Sequence, residues 1–179
     1  MTARQTGWPR CWLMTDERMG ERLWEAIEHL PIGDGGVVVR HYSLPAPERE
    51  ALAESIAKIC GKRGLSLAIA GDSALADRLG AALVHRPERP VGTFSLPVHS
   101  LADAEGARAA GASLAFVSPI NKTRSHPDAR PLSSTLARQI VATCGCPAIA
   151  LGGMNARNFP DVEKLGFYGW AAIDAWIRT

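Results

Sequence analysis

One stretch of this sequence is dense in hydroxyl and basic side chains. It runs from Phe116 to Ser133 and reads FVSPINKTRSHPDARPLS. It leaves an apolar segment and then offers hydroxyl donors at Thr123 and Ser125, with cations and His126 around them. Hydroxyl donors and cations together suit phosphoryl oxygens, because charge-assisted hydrogen bonds to an anion are stronger than neutral ones. A solvated basic surface loop is the alternative interpretation.

A second candidate for anion binding is the glycine pair Gly152–Gly153, in the sequence LGGMN. Without Cβ atoms the backbone amides of such a pair can approach an anion closely. A helix that starts just after the pair adds its positive end. Turns also use paired glycines, so the position of this pair in the fold decides its meaning.

The elements that must position these residues are short apolar runs that alternate with amphipathic helical stretches. Eight strand candidates read CWLMT, GGVVVRHY, LSLAIAG, AALVHR, GTFSLPVH, SLAFVS, PAIALGG and YGWAAID. Repeated βα units form an open doubly wound sheet or a closed barrel, and eight is the barrel number. We therefore predict an α/β fold, a compact (β/α)₈ TIM barrel made by residues 1–179 as a single domain.

Two walls of this barrel are predicted to be thin. Only RPERPV separates the fourth and fifth strands, and only AWIRT follows the last strand. In an ideal barrel a helix follows each strand, so helix 4, after strand four, and helix 8, after strand eight, are expected to be shortened or absent. Apolar strand surface left bare in this way could be covered by another subunit, which predicts a possible homodimer. Trp170 and Trp176 are candidates for that interface, with ordinary core packing as the alternative.

Polar residues and glycines follow the predicted strands at the point where each strand ends. They are Asp16, Arg40, Gly71, Asp72, His85, His99, Ser118, Gly152, Gly153 and Asp174. In a (β/α)₈ barrel these ends meet at one face that carries the site, and the loops after strands seven and eight form the usual phosphate cradle. The glycine pair follows strand seven and Asp174 follows strand eight, so we predict a phosphate site there.

Composition excludes several other classes of protein. The net charge is +2, with 20 Lys+Arg against 18 Asp+Glu spread along the chain, which argues against nucleic-acid binding. No apolar run is long enough to span a bilayer, and no secretory leader follows the basic N-terminus, so a cytoplasmic location is expected. The cysteines and histidines lack zinc-site or redox spacing, so the thiols are expected to be reduced and mostly structural.

The order of these segments resembles the thiamine phosphate synthase/TenI superfamily. The resemblance runs from about residue 11 to 176 through LMTD, VVVRHY, LAIAGD, GAALVH, VHSLADAEGARAAGASLAFVSPI, T-x-S-x-PDARPL, AIALGGMN and GFYGWAAIDAW. It implies a transferase of thiamine biosynthesis that couples hydroxymethylpyrimidine diphosphate with thiazole phosphate. The products are thiamine phosphate and pyrophosphate, and family members use Mg²⁺.

On the thiazole-phosphate side the resemblance carries over well. Thr123 and Ser125 match the hydroxyl loop of the family, and Gly152 and Gly153 match its glycine pair. Ile173–Asp174 match its Val-Ser turn after the last strand. Asp174 departs from that pattern, because a carboxylate facing a phosphate dianion is repelled by it.

On the diphosphate side several positions differ. The family's Gln-x-Arg-x-Lys after strand two reads Val38–Tyr42 here and keeps only Arg40. The lysine that closes the hydroxyl loop is replaced by His126. Arg40 and His126 are therefore the expected catalytic cations against diphosphate.

The two metal carboxylates of the family are also displaced. Its Asn-Asp after strand three reads Ala70-Gly71, with Asp72 one place along. The second carboxylate falls near Pro90, with Glu88 the nearest acid. If the protein is a synthase, Mg²⁺ is expected at Asp72 and Glu88.

Two other functions remain open. A TenI-like thiazole tautomerase would need no metal and would use a general base, for which His99 or His126 is suited because histidine titrates near neutrality. A barrel that binds a phosphorylated ligand without turning it over is the third hypothesis. In each case the partners are small phosphorylated molecules rather than nucleic acid or membrane.

Overall fold

The computed structural model describes residues 7–122 and 130–177. In them eight parallel strands pair in chain order, and the last pairs with the first to close a barrel. The strands are β1 Cys11–Met14, β2 Gly35–Val39, β3 Ser66–Ala70, β4 Leu83–His85, β5 Phe94–Val98, β6 Leu114–Val117, β7 Ala148–Leu151 and β8 Gly169–Ala172. Every predicted strand is present, and the (β/α)₈ fold is confirmed.

The helices lie between the strands. They are α1 Arg22–Glu28, α2 Ala46–Arg63, α3 Ser73–Leu79, α4 Leu101–Ala110, α5 Ser134–Cys144 and α6 Phe159–Glu163. The limits of α4 follow from sequence: Ser100 Oγ accepts the Asp103 amide at 3.1 Å, and Gly111 ends the helix at a φ of +73°.

Large apolar side chains fill the inside of the barrel, as in other barrels of this type. Trp12 and Phe116 meet edge to face with ring centroids 5.7 Å apart, and both are buried. Gly36, the registered neighbour of Trp12 on β2, has to be glycine, because a Cβ there would overlap the indole ring. The site therefore sits above a packed core and not in a pore.

The two thin walls are also confirmed. Residues 86–93 connect β4 to β5 without a helix, and those two strands pair at only two registered positions. After β8 the described chain holds only a 3-10 helix, Asp174–Trp176, where an eighth helix would lie.

Trp170 and Trp176 cover the gap left by helix 8. Their rings stack with centroids 4.6 Å apart, and both residues are buried within this one chain. Trp176 Nε1 also donates to the carbonyl of Trp12 at 3.1 Å. These two tryptophans are core residues, which is the second of the two interpretations that the sequence left open, and the homodimer stays a prediction.

The remaining expectations concern membranes and thiols. Among the described residues no helix combines the length and the hydropathy needed to cross a bilayer. The four cysteines are free. Burial raises the pKa of Cys60 and of Cys144 to about 11, so thiolate is scarce at neutral pH and these groups behave as structural side chains.

Candidate functional site

The carboxyl ends of the eight strands form the mouth of the barrel. Register fixes which ends are neighbours: Leu13 pairs with Ala172, Val39 with Ile69, and Leu151 with Ala171. The residues that follow β7 and β8 therefore lie side by side, and so do those that follow β2 and β3. The strand-end residues expected from the sequence share this face.

Arg40 is held at the mouth by β1. Its Nε donates to the carbonyl of Thr15 at 2.9 Å, and its backbone amide donates to Thr15 Oγ1 at 2.9 Å. Its Nη2 lies 3.5 Å from Oδ2 of Asp16, and 23% of the side chain is exposed. Burial lowers the pKa of Arg40, and the charge of Asp16 opposes that shift. The guanidinium is thus fixed in one orientation beside a carboxylate.

Thr15 also positions a buried histidine. Thr15 was not among the strand-end residues expected from the sequence. Its Oγ1 lies 3.0 Å from Nδ1 of His41, and both residues are buried. Burial lowers the pKa of His41, which favours the neutral ring. The only signal for Thr15 was its place directly after β1, because the hydroxyl acts through a neighbouring strand.

The carboxylate of Asp16 is engaged by a second arginine. Its Oδ1 accepts from Nε of Arg18 at 2.7 Å and from the backbone amide of Arg18 at 3.0 Å. The Arg18 hydrogen bond is the main reason that the pKa of Asp16 is lowered. Asp16 and, more weakly, the exposed Asp174 raise the pKa of Arg18. The Asp174 carboxylate thus has a cation nearby, which offsets its charge at the expected phosphate site.

The turn at Gly152–Gly153 is built against the loop that follows β6. Asn121 donates its amide to the carbonyl of Gly152 at 3.0 Å, and Asn158 Nδ2 donates to that of Gly153 at 2.8 Å. Gly153 has a φ of +60°, and a Cβ there would lie 2.7 Å from the carbonyl oxygen of Lys122. In the described chain no acceptor bonds the Gly153 amide. The turn therefore requires glycine and leaves that amide as a donor.

The other predicted phosphate ligands divide into two groups. Ile173 directly follows β8, half-buried, and its side chain packs against the core. Thr123, Ser125 and His126 lie outside the described residues, so the roles assigned to them stay predictions.

His99 is exposed at the end of β5. Its Nδ1 lies 2.9 Å from the carbonyl oxygen of Ser118, and its backbone amide donates to Asp103. Because a carbonyl only accepts, Nδ1 carries the hydrogen in this contact. The lone pair of the neutral ring is then on Nε2, where it can take a proton.

A cavity of about 540 Å³ opens at the ends of β3 and β4. Its polar lining consists of Tyr42, Arg49, Asp72, Ser73, Glu88 and Arg89. The two acids expected to hold metal therefore face one space, together with two arginines.

Comparison with known proteins places the chain in a family. A family model described as "Thiamine monophosphate synthase" matches residues 11–176. The chain belongs to the thiamine monophosphate synthase family. It is 30% identical to "Putative thiamine-phosphate synthase 2" of Aquifex aeolicus (strain VF5), over 95% of this chain and 98% of that one. It is 29% identical to "Thiamine-phosphate synthase" of Roseiflexus sp. (strain RS-1), over 93% and 77%.

A solved structure supports the same fold. "Thiamine phosphate pyrophosphorylase from Pyrococcus furiosus" superimposes with a TM-score of 0.79 at 24% identity, covering 93% of this chain and 86% of that one. At this identity the superposition supports the barrel fold and nothing about function. The match to the family model spans the barrel from the first residue of β1 to the end of the 3-10 helix after β8.

The Mg²⁺ used by the family does not fit the described residues well. Oδ1 of Asp72 caps α3 by accepting the Leu75 amide at 2.9 Å, and Oδ2 lies 3.9 Å from Nη1 of Arg49. A dication bound at Oδ2 would be repelled by that guanidinium. In the described ranges no group of three or more His, Cys, Asp or Glu could hold a metal. The assignment of Asp72 and Glu88 to Mg²⁺ stays a prediction.

Proposed function

We propose that this protein is a thiamine-phosphate synthase. It joins hydroxymethylpyrimidine diphosphate to thiazole phosphate and releases thiamine phosphate and pyrophosphate. The observation that carries the proposal is the family match over residues 11–176, which covers the whole closed barrel and its mouth.

The chemistry divides between two parts of the mouth. The bond between the pyrimidine methylene carbon and the diphosphate oxygen breaks, and its electron pair leaves with the diphosphate. The lone pair of the thiazole nitrogen then forms the new bond to that carbon. A cation beside the leaving group stabilises the charge that develops on it. Arg40 is suited to this role because Thr15 and Asp16 fix its guanidinium at the end of β2.

The thiazole phosphate is assigned to the turn after β7, separated from Arg40 by β8 and β1. The Gly153 amide, which has no acceptor among the described residues, is a donor available to a phosphate oxygen. Ile173 follows β8 at the edge of the same turn. Because the described residues form no convincing Mg²⁺ site, no step of this proposal passes through a metal.

The test is a coupling reaction with both phosphorylated halves. Thiamine phosphate should appear together with an equal amount of pyrophosphate, and product should depend on both substrates. If no product forms with enzyme equimolar to substrate, although thiazole phosphate binds in calorimetry, the synthase proposal is overturned.

One observation favours a second candidate function, a thiazole tautomerase. The Ser118 carbonyl fixes His99 with its lone pair on Nε2, which suits a general base. For either reaction the partners are small phosphorylated molecules. The free thiols among the described residues fit a reducing compartment such as the cytoplasm.

A further inference from the structure

Arg49 lies on the first turn of α2, and only some of its hydrogen-bond donors have partners in the described fold. Its side chain is 13% exposed, and its Nη2 donates to the carbonyl of Ala70 at 2.5 Å. Its Nε is buried and has no hydrogen-bond partner in the described part of the chain. Its Nη1 faces Asp72 at 3.9 Å, longer than a hydrogen bond. The guanidinium is therefore anchored at the end of β3 with donor capacity to spare.

The position of this guanidinium is informative because of Tyr42. Tyr42 stands where the family's Gln-x-Arg-x-Lys pattern has its lysine. The Cζ of Arg49 lies 6.0 Å from the centre of the Tyr42 ring, and both residues line the cavity of about 540 Å³. A positive charge from α2 therefore lies next to the position where the loop after β2 lacks the lysine.

A second arginine lines the same cavity. Arg89 is exposed in the connection between β4 and β5, and the two arginines share the cavity with Asp72 and Glu88. Arg40 stands at the end of β2, which is registered beside β3 through Val39 and Ile69. The guanidinium of Arg49 is anchored at the end of that β3. A diphosphate, with charge spread over two phosphoryl groups, can be contacted by adjacent guanidinium groups.

We propose that Arg49 is a binding residue of the diphosphate site and takes the place of the family's lysine. Asp72 then caps α3 beside this guanidinium and is not a metal ligand. The inference rests on the proposed function for the identity of the diphosphate ester, but inorganic diphosphate can probe the site by itself.

The experiment is calorimetric titration of the full chain with inorganic diphosphate, once in EDTA and once in Mg²⁺. Arg49→Gln should weaken binding in EDTA by about ten- to a hundredfold, as expected for the loss of a charge-assisted contact. Arg63→Gln is the matched control. Arg63 lies on the same helix, donates to the carbonyls of Glu28 and Leu30, and also has a buried Nε without a partner. It lies at the other end of α2, so its loss should leave the affinity unchanged.

A rescue separates ligand binding from folding. Tyr42 is 58% exposed, so Tyr42→Lys should be tolerated. In the Arg49→Gln background it should restore most of the affinity. Equal affinity of Arg49→Gln and the wild-type protein overturns the inference. If Arg49→Gln does not fold, Arg49→Met replaces it, because methionine keeps an apolar stem without the charge, and unchanged affinity of that variant also overturns the inference.

The two proposals fail separately. If the wild-type protein makes no thiamine phosphate but Arg49→Gln still loses diphosphate affinity, the synthase is overturned and the anion site stands. If the wild-type protein is active and Arg49→Gln binds diphosphate normally, the synthase stands and the role of Arg49 is overturned.

Discussion

Thr15 holds Arg40 at two points. The hydroxyl of Thr15 accepts the backbone amide of Arg40, and its carbonyl accepts Nε, both at 2.9 Å. The residue after β1 thereby fixes the residue after β2, so the guanidinium orientation is set by two residues that directly follow paired strands. A preorganised cation stabilises developing charge without the cost of reorienting during the reaction.

Replacement of Arg40 is expected to impair chemistry more than folding. Arg40→Gln should lower kcat/KM for coupling by about a hundredfold or more, the scale for loss of one preorganised charge-stabilising group. Arg40→Lys should recover only part of this, because an ammonium lacks the fork that reaches both Thr15 and the ligand. Steady-state kinetics provide the measurement, with Arg10→Gln as control, since Arg10 pairs with Glu163 just before β1, at the opposite end of the barrel. Equal losses in the two variants would contradict a specific role for Arg40.

Gly153→Ala should damage the phosphate site beyond its effect on the backbone. The new Cβ would lie 2.7 Å from the carbonyl of Lys122 at a φ of +60°, so the turn has to move. We expect thiazole-phosphate affinity, measured by calorimetry, to fall at least tenfold. Gly80→Ala is the matched control, because Gly80 has a φ of +63° but nothing within 4 Å of its Cβ position. Both variants should lose about 1–2 kcal/mol of stability through the left-handed conformation, but only Gly153→Ala should lose affinity.

The sequence predicted what depends on local patterns. The eight strands and the two missing helices follow from periodicity and connection length. Residues that act across elements were missed. Arg49 reaches the mouth from α2 and Thr15 acts on the next strand, and neither contact is encoded in residue spacing. Trp176 was open to two interpretations, because the sequence does not say whether the side chain fills the space left by the missing helix 8. Only the folded barrel shows that it does.

The buried His85 should make stability fall in mild acid. Burial lowers its pKa from 6.5 to about 4, with Arg40 and Arg86 adding to the shift, and Nδ1 lies 2.9 Å from Ser95 Oγ. Below pH 6.5 His85 is protonated in the unfolded chain but stays neutral in the native protein. The contribution of neutral His85 to the free energy of unfolding is thus fully present above pH 6.5 and is lost as pH falls toward 4, by about 3 kcal/mol.

Chemical denaturation at several pH values checks this expectation. His85→Gln does not titrate, so its free energy of unfolding should decline less steeply than that of the wild-type protein between pH 6.5 and 4. His41, whose pKa is also lowered by burial, adds to the slope of both proteins and cancels in their difference. Parallel curves for the two proteins would mean that His85 is not held neutral.

His99 distinguishes the two candidate reactions. If the protein is a synthase, His99→Ala should change kcat for coupling by less than about fivefold, because its Nε2 has no proton to transfer in that reaction. If it is a tautomerase, the same variant should slow proton exchange on a thiazole phosphate carboxylate by about a hundredfold or more. Exchange followed by NMR in deuterated water measures this directly, with His126→Ala compared in parallel. Unchanged exchange in both variants excludes these histidines as the base.

Asp72→Asn tests whether this residue binds metal or only caps α3 beside Arg49. Asparagine is as good an N-cap as aspartate, so α3 should keep its start and the protein its stability. The change removes a carboxylate 3.9 Å from Arg49 Nη1, so inorganic diphosphate should bind at least as tightly in EDTA as to the wild-type protein. Asp77→Asn, on the same helix but outside the lining of the cavity, is the matched control. If Asp72 instead holds Mg²⁺, Asp72→Asn should abolish the gain in diphosphate affinity that Mg²⁺ gives the wild-type protein, and coupling should fall with it.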